Sequence, residues 1–259
     1  LRGISLYEPG ALTLVAQAGT PVSEIETTLA AEGQRLAFEP MDHRALMGCS
    51  GTPTIGGIFA ANVSGPRRLA VGAARDFLLG VRFVDGQGNV IKNGGRVMKN
   101  VTGYDLVKLM AGSRGTLGAL TEVSLKVLPE PETSATLVLS DLDDPASIAA
   151  MAQAMRSPFE VTAAAHDPAQ RRTYLRLEGF EASVTYRIGR LKDLLSQPVP
   201  RLRAARRSSP PRFGATCVMW RLFMGRRGMS GGCIAVRLRH RRSRQRPEPK
   251  RIFMTGPAG

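Results

Sequence analysis

The sequence is poor in cysteine, histidine and aromatic residues, and it has no long uninterrupted apolar run. Its three cysteines, Cys49, Cys217 and Cys233, are too sparse for a disulfide framework, and an odd, scattered set fits a reducing cytosol. No Cys-x-x-Cys pair occurs and His43, His166 and His240 lie far apart, so no metal site is expected. No stretch approaches the roughly 18 apolar residues of a membrane-crossing helix; the longer ones are broken by Gly, Arg or Asp. No secretory leader pattern is read. The chain opens on Leu1 rather than Met and runs at once into the strand-like Leu12-Thr13-Leu14-Val15-Ala16, which suggests a start inside a domain.

Acidic residues are missing from one end. Residues 199–259 hold 15 Arg and 1 Lys against Glu248 alone, whereas residues 1–198 balance 20 Lys and Arg against 20 Asp and Glu. The net charge of +15 therefore belongs to the tail and says nothing about the body. Three readings compete for the tail. The preferred one is a frameshifted or mis-called end, because Arg-, Pro- and Gly-heavy sequence without periodicity is what shifted GC-rich DNA encodes, and such a segment is expected to be disordered. The second is an arginine-rich segment that neutralises nucleic-acid phosphates; it lacks the interleaved aromatics of a base-stacking surface. The third is the solvated basic face of a genuine domain, which the missing periodicity argues against.

What is present is glycine in two ordered clusters. The first runs Ser50-Gly51-Thr52-Pro53-Thr54-Ile55-Gly56-Gly57 and continues to Gly65; the second runs Thr102-Gly103-Tyr104-Asp105-Leu106 and then Gly112-Ser113-Arg114-Gly115-Thr116-Leu117-Gly118. Glycine lets main-chain N–H groups converge, and converging N–H groups bind phosphate oxygens. Two such loops feeding one site suggest an extended dinucleotide.

The patterning around them is α+β. Residues 11–33 read as a strand and then a helix, with Thr20 as N-cap, Pro21 at the first helical position, Ile25, Leu29 and Ala30 on one face, and Gly33 as the stop. Residues 34–55 read as loop with short extended pieces, and Ile55–Asn62 as a short helix of small residues. Leu78–Val84 and Val90–Lys92 read as a hairpin around Asp85-Gly86-Gln87-Gly88, Tyr104–Ala111 as a helix, and Leu120–Leu128 as a strand. A second unit then begins: strand Ala135–Leu139, helix Asp144–Met155 with Asp144 as N-cap and Ile148 and Met151 inward, strand Thr173–Leu177, and helix Glu181–Leu195. From about Val199 no periodicity remains. The division expected is 1–130, 131–198 and the tail 199–259.

In order along the chain, Gly51-Thr52-Pro53-Thr54-Ile55-Gly56-Gly57, Arg75-Asp76-Phe77-Leu78-Leu79-Gly80, Lys99-Asn100-Val101-Thr102-Gly103-Tyr104-Asp105-Leu106 and Gly112-Ser113-Arg114-Gly115-Thr116-Leu117-Gly118 resemble the PCMH-type FAD domain of the vanillyl-alcohol-oxidase-like flavoproteins. The resemblance covers residues 3–130. Within that family, Phe38-Glu39-Pro40, Ser64-Gly65-Pro66-Arg67-Arg68, Arg75-Asp76-Phe77, Gly94-Gly95-Arg96-Val97-Met98-Lys99-Asn100-Val101 and Lys126-Val127-Leu128-Pro129 are similar to the FAD-binding subunits of bacterial glycolate oxidases. Weaker similarity runs to about residue 195.

The resemblance implies a mixed or antiparallel sheet flanked by helices, with FAD as cofactor. It implies that Thr52, Pro53, Thr54, Gly56 and Gly57 face the FAD pyrophosphate. Ala60 and Ser64 would lie under the flavin-ribityl region, Arg75 and Asp76 beside the flavin end, Gly115, Thr116 and Gly118 along the ribityl-diphosphate, and Leu120 at the adenine edge. It implies oxidation of a 2-hydroxy acid, glycolate to glyoxylate, by the flavin, with a homologous larger FAD subunit that carries the substrate cap and an iron–sulfur subunit as partners. The place implied is the cytoplasm, or the inner face of the membrane through those partners. No catalytic residue is assigned to this chain. The family's first phosphate loop, an Arg-Gly-Gly-Gly-type turn, precedes the strand at 11–17 and is expected to be missing here with the first small subdomain; the family's closing Asn-Pro-Gly segment is unmatched by the tail. A truncated chain without bound FAD or activity is therefore the alternative, and nucleic-acid binding by the tail a second.

Other residues carry two readings each. Cys49 is a candidate flavin tether and His43 a candidate tether or proton shuttle, against a small buried thiol near a turn and an exposed loop residue, which are preferred. His166-Asp167 suggests a base and its orienter, but adjacent residues in a loop rarely share that geometry. Arg67-Arg68 is a phosphate or acidic-partner site or a plain surface pair. Lys99 flanks the second cluster, and Tyr104 packs either on the flavin or in the core.

Overall fold

A computed structural model describes residues 1–96, 103–196 and 233–236. Strand β1 (Ile4–Glu8) passes through a single 3-10 turn at Pro9–Ala11 and returns antiparallel as β2 (Thr13–Gln17). Helix α1 (Val22–Ala31) buries Val22, Ile25 and Leu29, which recur at helical spacing on one face. Ala30, expected on that face, is exposed. Thr20 does not cap the helix either. Its hydroxyl lies 3.0 Å from the Gly3 carbonyl and 2.7 Å from that of Gln17, tying the ends of β1 and β2, and Pro21 takes the N-cap position.

The stretch read as loop with short extended pieces holds one such piece, β3 (Gln34–Arg35), and a helical turn that was not expected, α2 (Arg44–Met47). Short helices α3 (Ile55–Ala61), α4 (Arg68–Val71) and α5 (Ala74–Phe77) follow, and α5 runs directly into β4 (Leu78–Val84). The hairpin closes with β5 (Val90–Gly94), then come α6 (Leu106–Met110), β6 (Ala119–Lys126) and β7 (Leu128–Pro129), the last paired with β3. The main sheet has the order β1-β2-β6-β4-β5 with every neighbour antiparallel.

Leu14, Ala16, Val81, Phe83, Val123 and Leu125 of this sheet bury against α1, α3, α5 and α6. Phe38 stands at the middle of that layer, its ring centroid 5.6 Å from Phe59 on α3 and 5.5 Å from Phe77 on α5, both tilted. Tilted aromatic pairs at this spacing are favourable beyond their burial, so Phe38 fixes α3 and α5 relative to each other.

The second cluster is built on β8 (Thr133–Ser140), α7 (Asp144–Arg156), β9 (Ala163–Asp167), β10 (Arg172–Gly179) and α8 (Glu181–Ser196), with Leu137, Leu139, Leu175, Leu177, Ile188 and Leu191 among its buried residues. The cap of α7 is Asp143, one residue before the expected Asp144; its carboxylate accepts the Ala146 N–H at 2.9 Å. The helix buries Ser147, Ala150 and Ala154, while Ile148 is exposed and Met151 only packs partly on the cluster. The sheet order is β11-β8-β10-β9, where β11 (Cys233–Val236) pairs parallel with β8. A strand at 233–236 departs from the expectation of no regular element in the tail; the rest of residues 199–259 lies outside the described residues. Among the described residues no helix is long and apolar enough to cross a membrane, and no group of three or more His, Cys, Asp or Glu is placed to hold a metal ion.

Candidate functional site

The first glycine cluster is stitched to the turn after β2. Val22 donates to the Pro53 carbonyl at 3.0 Å, Ile55 to Thr20 at 3.0 Å, and Gly56 to Ala18 at 2.8 Å. Thr54 is extended (φ −113°, ψ 153°) and caps α3, its hydroxyl accepting the Gly57 N–H at 3.4 Å. Gly56 is there for close approach: a Cβ would stand 2.6 Å from the Ala18 Cβ and 2.8 Å from its carbonyl oxygen. The amides of Ile55 and Gly56 are thus committed inside the protein, whereas Thr52 and Gly57 are exposed and Pro53 and Thr54 half-buried.

The other end of α3 receives the second cluster. Gly112 donates to the Phe59 carbonyl at 3.0 Å and Arg114 to the Ala60 carbonyl at 2.8 Å. The last carbonyls of a helix have no partner within it, and here the 112–114 turn supplies two. The clusters therefore share one hydrogen-bonded junction. Beyond it Gly115 (φ 79°) and Thr116 are exposed, the Thr116 hydroxyl donating to the Ser113 carbonyl at 2.7 Å. Gly118 lies against β4, where a Cβ would meet the Val84 carbonyl oxygen at 2.5 Å, and Leu120 on β6 stands opposite Phe83.

Arg75 and Asp76 join the same junction. Asn62 ends α3 in the left-handed region (φ 51°) and its side-chain oxygen accepts the Arg75 N–H at 2.9 Å. The Ser64 hydroxyl accepts the Ala74 N–H at 2.9 Å, and the Asp76 carboxylate accepts that of Ala73 at 2.8 Å. Lys108 on α6 donates its ammonium to the Arg75 carbonyl. Ala60, Ser64, Arg75, Asp76 and the 112–118 turn are thus brought together. Thr52, Pro53, Thr54, Gly56 and Gly57 sit at the opposite end of α3, against the 18–22 turn.

Three side chains that hold this arrangement were missed in the sequence: Asn62, Asn93 and Lys108. Asn93 accepts the Leu106 N–H at 3.0 Å and donates to the Tyr104 carbonyl at 3.2 Å, fixing the start of α6. Asn62 carried a signal, since an Asn after a short helix readily takes the left-handed C-terminal position. Asn93 and Lys108 carried none.

Several of the paired readings are decided. Tyr104 is 88% exposed, so it is not a core anchor. Cys49 is an exposed free thiol rather than a buried one. His43 is half-buried at the N-cap of α2 rather than exposed. His166 and Asp167 lie on β9, not in a loop; His166 Nδ1 is 2.9 Å from the Thr173 hydroxyl and its Nε2 3.4 Å from the Asp144 carboxylate, so Asp167 is not its orienter. Arg67 and Arg68 part company: Arg68 is exposed, while Arg67 Nη1 lies 2.9 Å from Glu178. Lys99 falls outside the described residues.

Known proteins agree with this architecture. A family described as "FAD binding domain" matches residues 1–94. The chain is 41% identical over 184 residues to glycolate oxidase subunit GlcE of Escherichia coli K12, covering 71% of this chain and 50% of that protein. It is 39% identical over 127 residues to glycolate oxidase subunit GlcD of Bacillus subtilis, covering 49% of this chain and 26% of that protein. The chain thus spans half the length of the first relative and about a quarter of the second. Among solved structures, an alkyldihydroxyacetonephosphate synthase superposes with a TM-score of 0.60 at 19% identity, over 75% of this chain and 40% of that one, a likeness of fold. Residues 1–94 thus resemble an FAD-binding domain, and the relatives and the fold are in keeping with that likeness.

Proposed function

We propose that this chain is an FAD-binding subunit of a glycolate-oxidase-type complex that oxidises 2-hydroxy acids. The observation that carries the reading is the hydrogen-bonded junction between the two glycine clusters, Arg114 to Ala60 and Gly112 to Phe59. The fit to FAD rests on open main chain: a Cβ at Gly51 or Gly115 would meet no heavy atom within 4 Å, and Gly57 is exposed. An elongated dinucleotide can lie along such a strip. Three exposed cations stand at the junction, Arg75 (3.8 Å from the Asp76 carboxylate), Lys108 and Arg114, and cationic side chains there suit a diphosphate.

In this reading Thr52, Pro53, Thr54 and Gly57 line one end of the cofactor and Ala60, Ser64, Arg75, Asp76, Gly115, Thr116, Gly118 and Leu120 the rest; Gly56 contributes by letting α3 approach Ala18. The flavin, when bound, supplies the two-electron oxidation of the hydroxyl carbon, and the protein's part is to bind and orient it. The relatives' names as subunits support a partner subunit of the same family; an iron–sulfur partner, a cytoplasmic or membrane-peripheral place, and a division into units 1–130 and 131–198 complete the proposal.

A second reading is a chain that folds but holds no FAD. The engagement of the Ile55 and Gly56 amides by Thr20 and Ala18 favours it, since those donors are not free for a phosphate. Titration of the purified full chain with FAD, followed by flavin fluorescence, separates the two. Saturable quenching that Gly115→Val weakens supports cofactor binding; no quenching at any FAD concentration leaves the second reading.

A further inference from the structure

Where the two hydrophobic clusters adjoin, four buried charged side chains, Arg35, Glu39, Arg176 and Glu178, meet the half-buried Arg67. Glu178 on β10 is the hub: its carboxylate lies 2.9 Å from Arg67 Nη1, 3.3 Å from Arg35 Nη1 and 3.4 Å from Arg176 Nε, with the Glu178 side chain only 3% exposed. Arg176, two residues earlier on the same face of β10, donates Nη2 to Glu39 at 2.8 Å, both side chains being 1% exposed. Arg35 also reaches Glu39 at 3.8 Å and Glu130 at 3.1 Å. Burial pushes the Glu39 carboxyl up from its ordinary range, and the Arg176 guanidinium pulls against that shift.

Removing charges from water is costly, and well-packed apolar residues of similar volume are often as stabilising as a buried ion cluster. Stability alone is therefore a weak reason for this cluster; unique placement is a better one. What it places is visible in the connections. Arg67 ends the segment Ser64-Gly65-Pro66-Arg67. Gly65 donates to the Phe38 carbonyl at 2.8 Å and packs so tightly on Glu39 that a Cβ would fall on its carbonyl oxygen. Ser64 then accepts the Ala74 N–H at the start of α5, which carries Arg75 and Asp76. Glu178 and Arg176 thus hold, through Arg67 and Glu39, both sides of the segment that sets α5.

We propose that Arg176 and Glu178 are positioning residues: a charge clamp by which β10 fixes the 64–76 segment for the cofactor, so that residues 133–196 take part in FAD binding without touching the site. The proposal rests on the reading that the chain binds FAD. It is tested on the full chain with Arg67→Gln, the conservative Arg67→Lys and Glu178→Gln, by amide hydrogen exchange without FAD and by FAD titration. Expected are faster exchange at Gly65, Ala74 and Arg75, with other core amides unchanged, and roughly tenfold weaker FAD binding in Arg67→Gln, both restored in Arg67→Lys. Should Glu178→Gln fail to fold, Arg67→Gln carries the test, because Arg67 is the most exposed of the five, at 13% side-chain exposure. Unchanged exchange at those amides, uniform loosening of the whole chain, or localised loosening with unchanged FAD affinity each overturns the clamp. If the unsubstituted chain binds no FAD, the cofactor reading fails by itself, and the exchange data alone decide whether β10 fixes the segment.

Discussion

The main-chain N–H of Arg114 donates to the carbonyl of Ala60 at 2.8 Å, which makes the second glycine cluster the cap on the first cluster's helix. Residues separated by more than fifty positions thereby share one local geometry, and a change in either cluster is felt at the other.

Gly115 has φ +79° and is exposed with open space beside it. Gly115→Val forces a β-branched residue into the left-handed region, a strain of about 1–3 kcal/mol. The turn should shift and FAD affinity should fall, read by fluorescence titration. An unchanged affinity would remove the 112–118 turn from the cofactor's environment.

Gly56→Ala places a methyl 2.6 Å from the Ala18 Cβ. Overpacking of this kind costs about 1–3 kcal/mol, and chemical denaturation should show it. A neutral result would mean that α3 slides along β2 without penalty.

Phe38 is fully buried between Phe59 and Phe77. Phe38→Ala should destabilise the chain by about 3–5 kcal/mol and loosen α3 and α5 together. If hydrogen exchange rises in only one of the two helices, Phe38 does not link them.

Asp85 carries a pH dependence. The Asn89 side-chain amide and the Asn89 and Gln87 main-chain N–H groups hold its carboxyl below the usual carboxylate range. The folded pKa is depressed, so its contribution to the β4–β5 turn is present above the ordinary carboxylate pKa and lost as pH falls through the lower folded value. Asp85→Asn should abolish that loss. An NMR titration of Asp85 with a midpoint at or above that of an unstructured peptide contradicts the assignment.

Much of the fold was legible in the sequence where periodicity and punctuation agreed. The alternation of Leu14 and Ala16, the helical spacing of Ile25 and Leu29, and the Asp85-Gly86 turn each marked an element that formed. Strand β9, Ala-Ala-Ala-His-Asp, was not legible, because alanine's intrinsic preference is helical and only pairing with β10 overrides it. β1 was missed for a related reason: its register with β2 shifts between Ile4 and Leu6, so alternation breaks within five residues. At the site, the glycines and Thr54 were found but their work was only partly foreseen. Gly56 reads as a ligand-facing residue until Ala18, 38 positions earlier, is seen beside it. The charge clamp was invisible, because Glu39 and Arg176 are separated by 137 residues and a lone charge reads as surface.

The contact of Gly56 with Ala18 also limits how this domain can vary. With no slack between the two, volume gained at one position has to be surrendered at the other. Ala18→Gly should therefore rescue only the part of the Gly56→Ala loss that comes from the Ala18 Cβ, because the Ala18 carbonyl oxygen at 2.8 Å and Cα at 3.0 Å remain in the way.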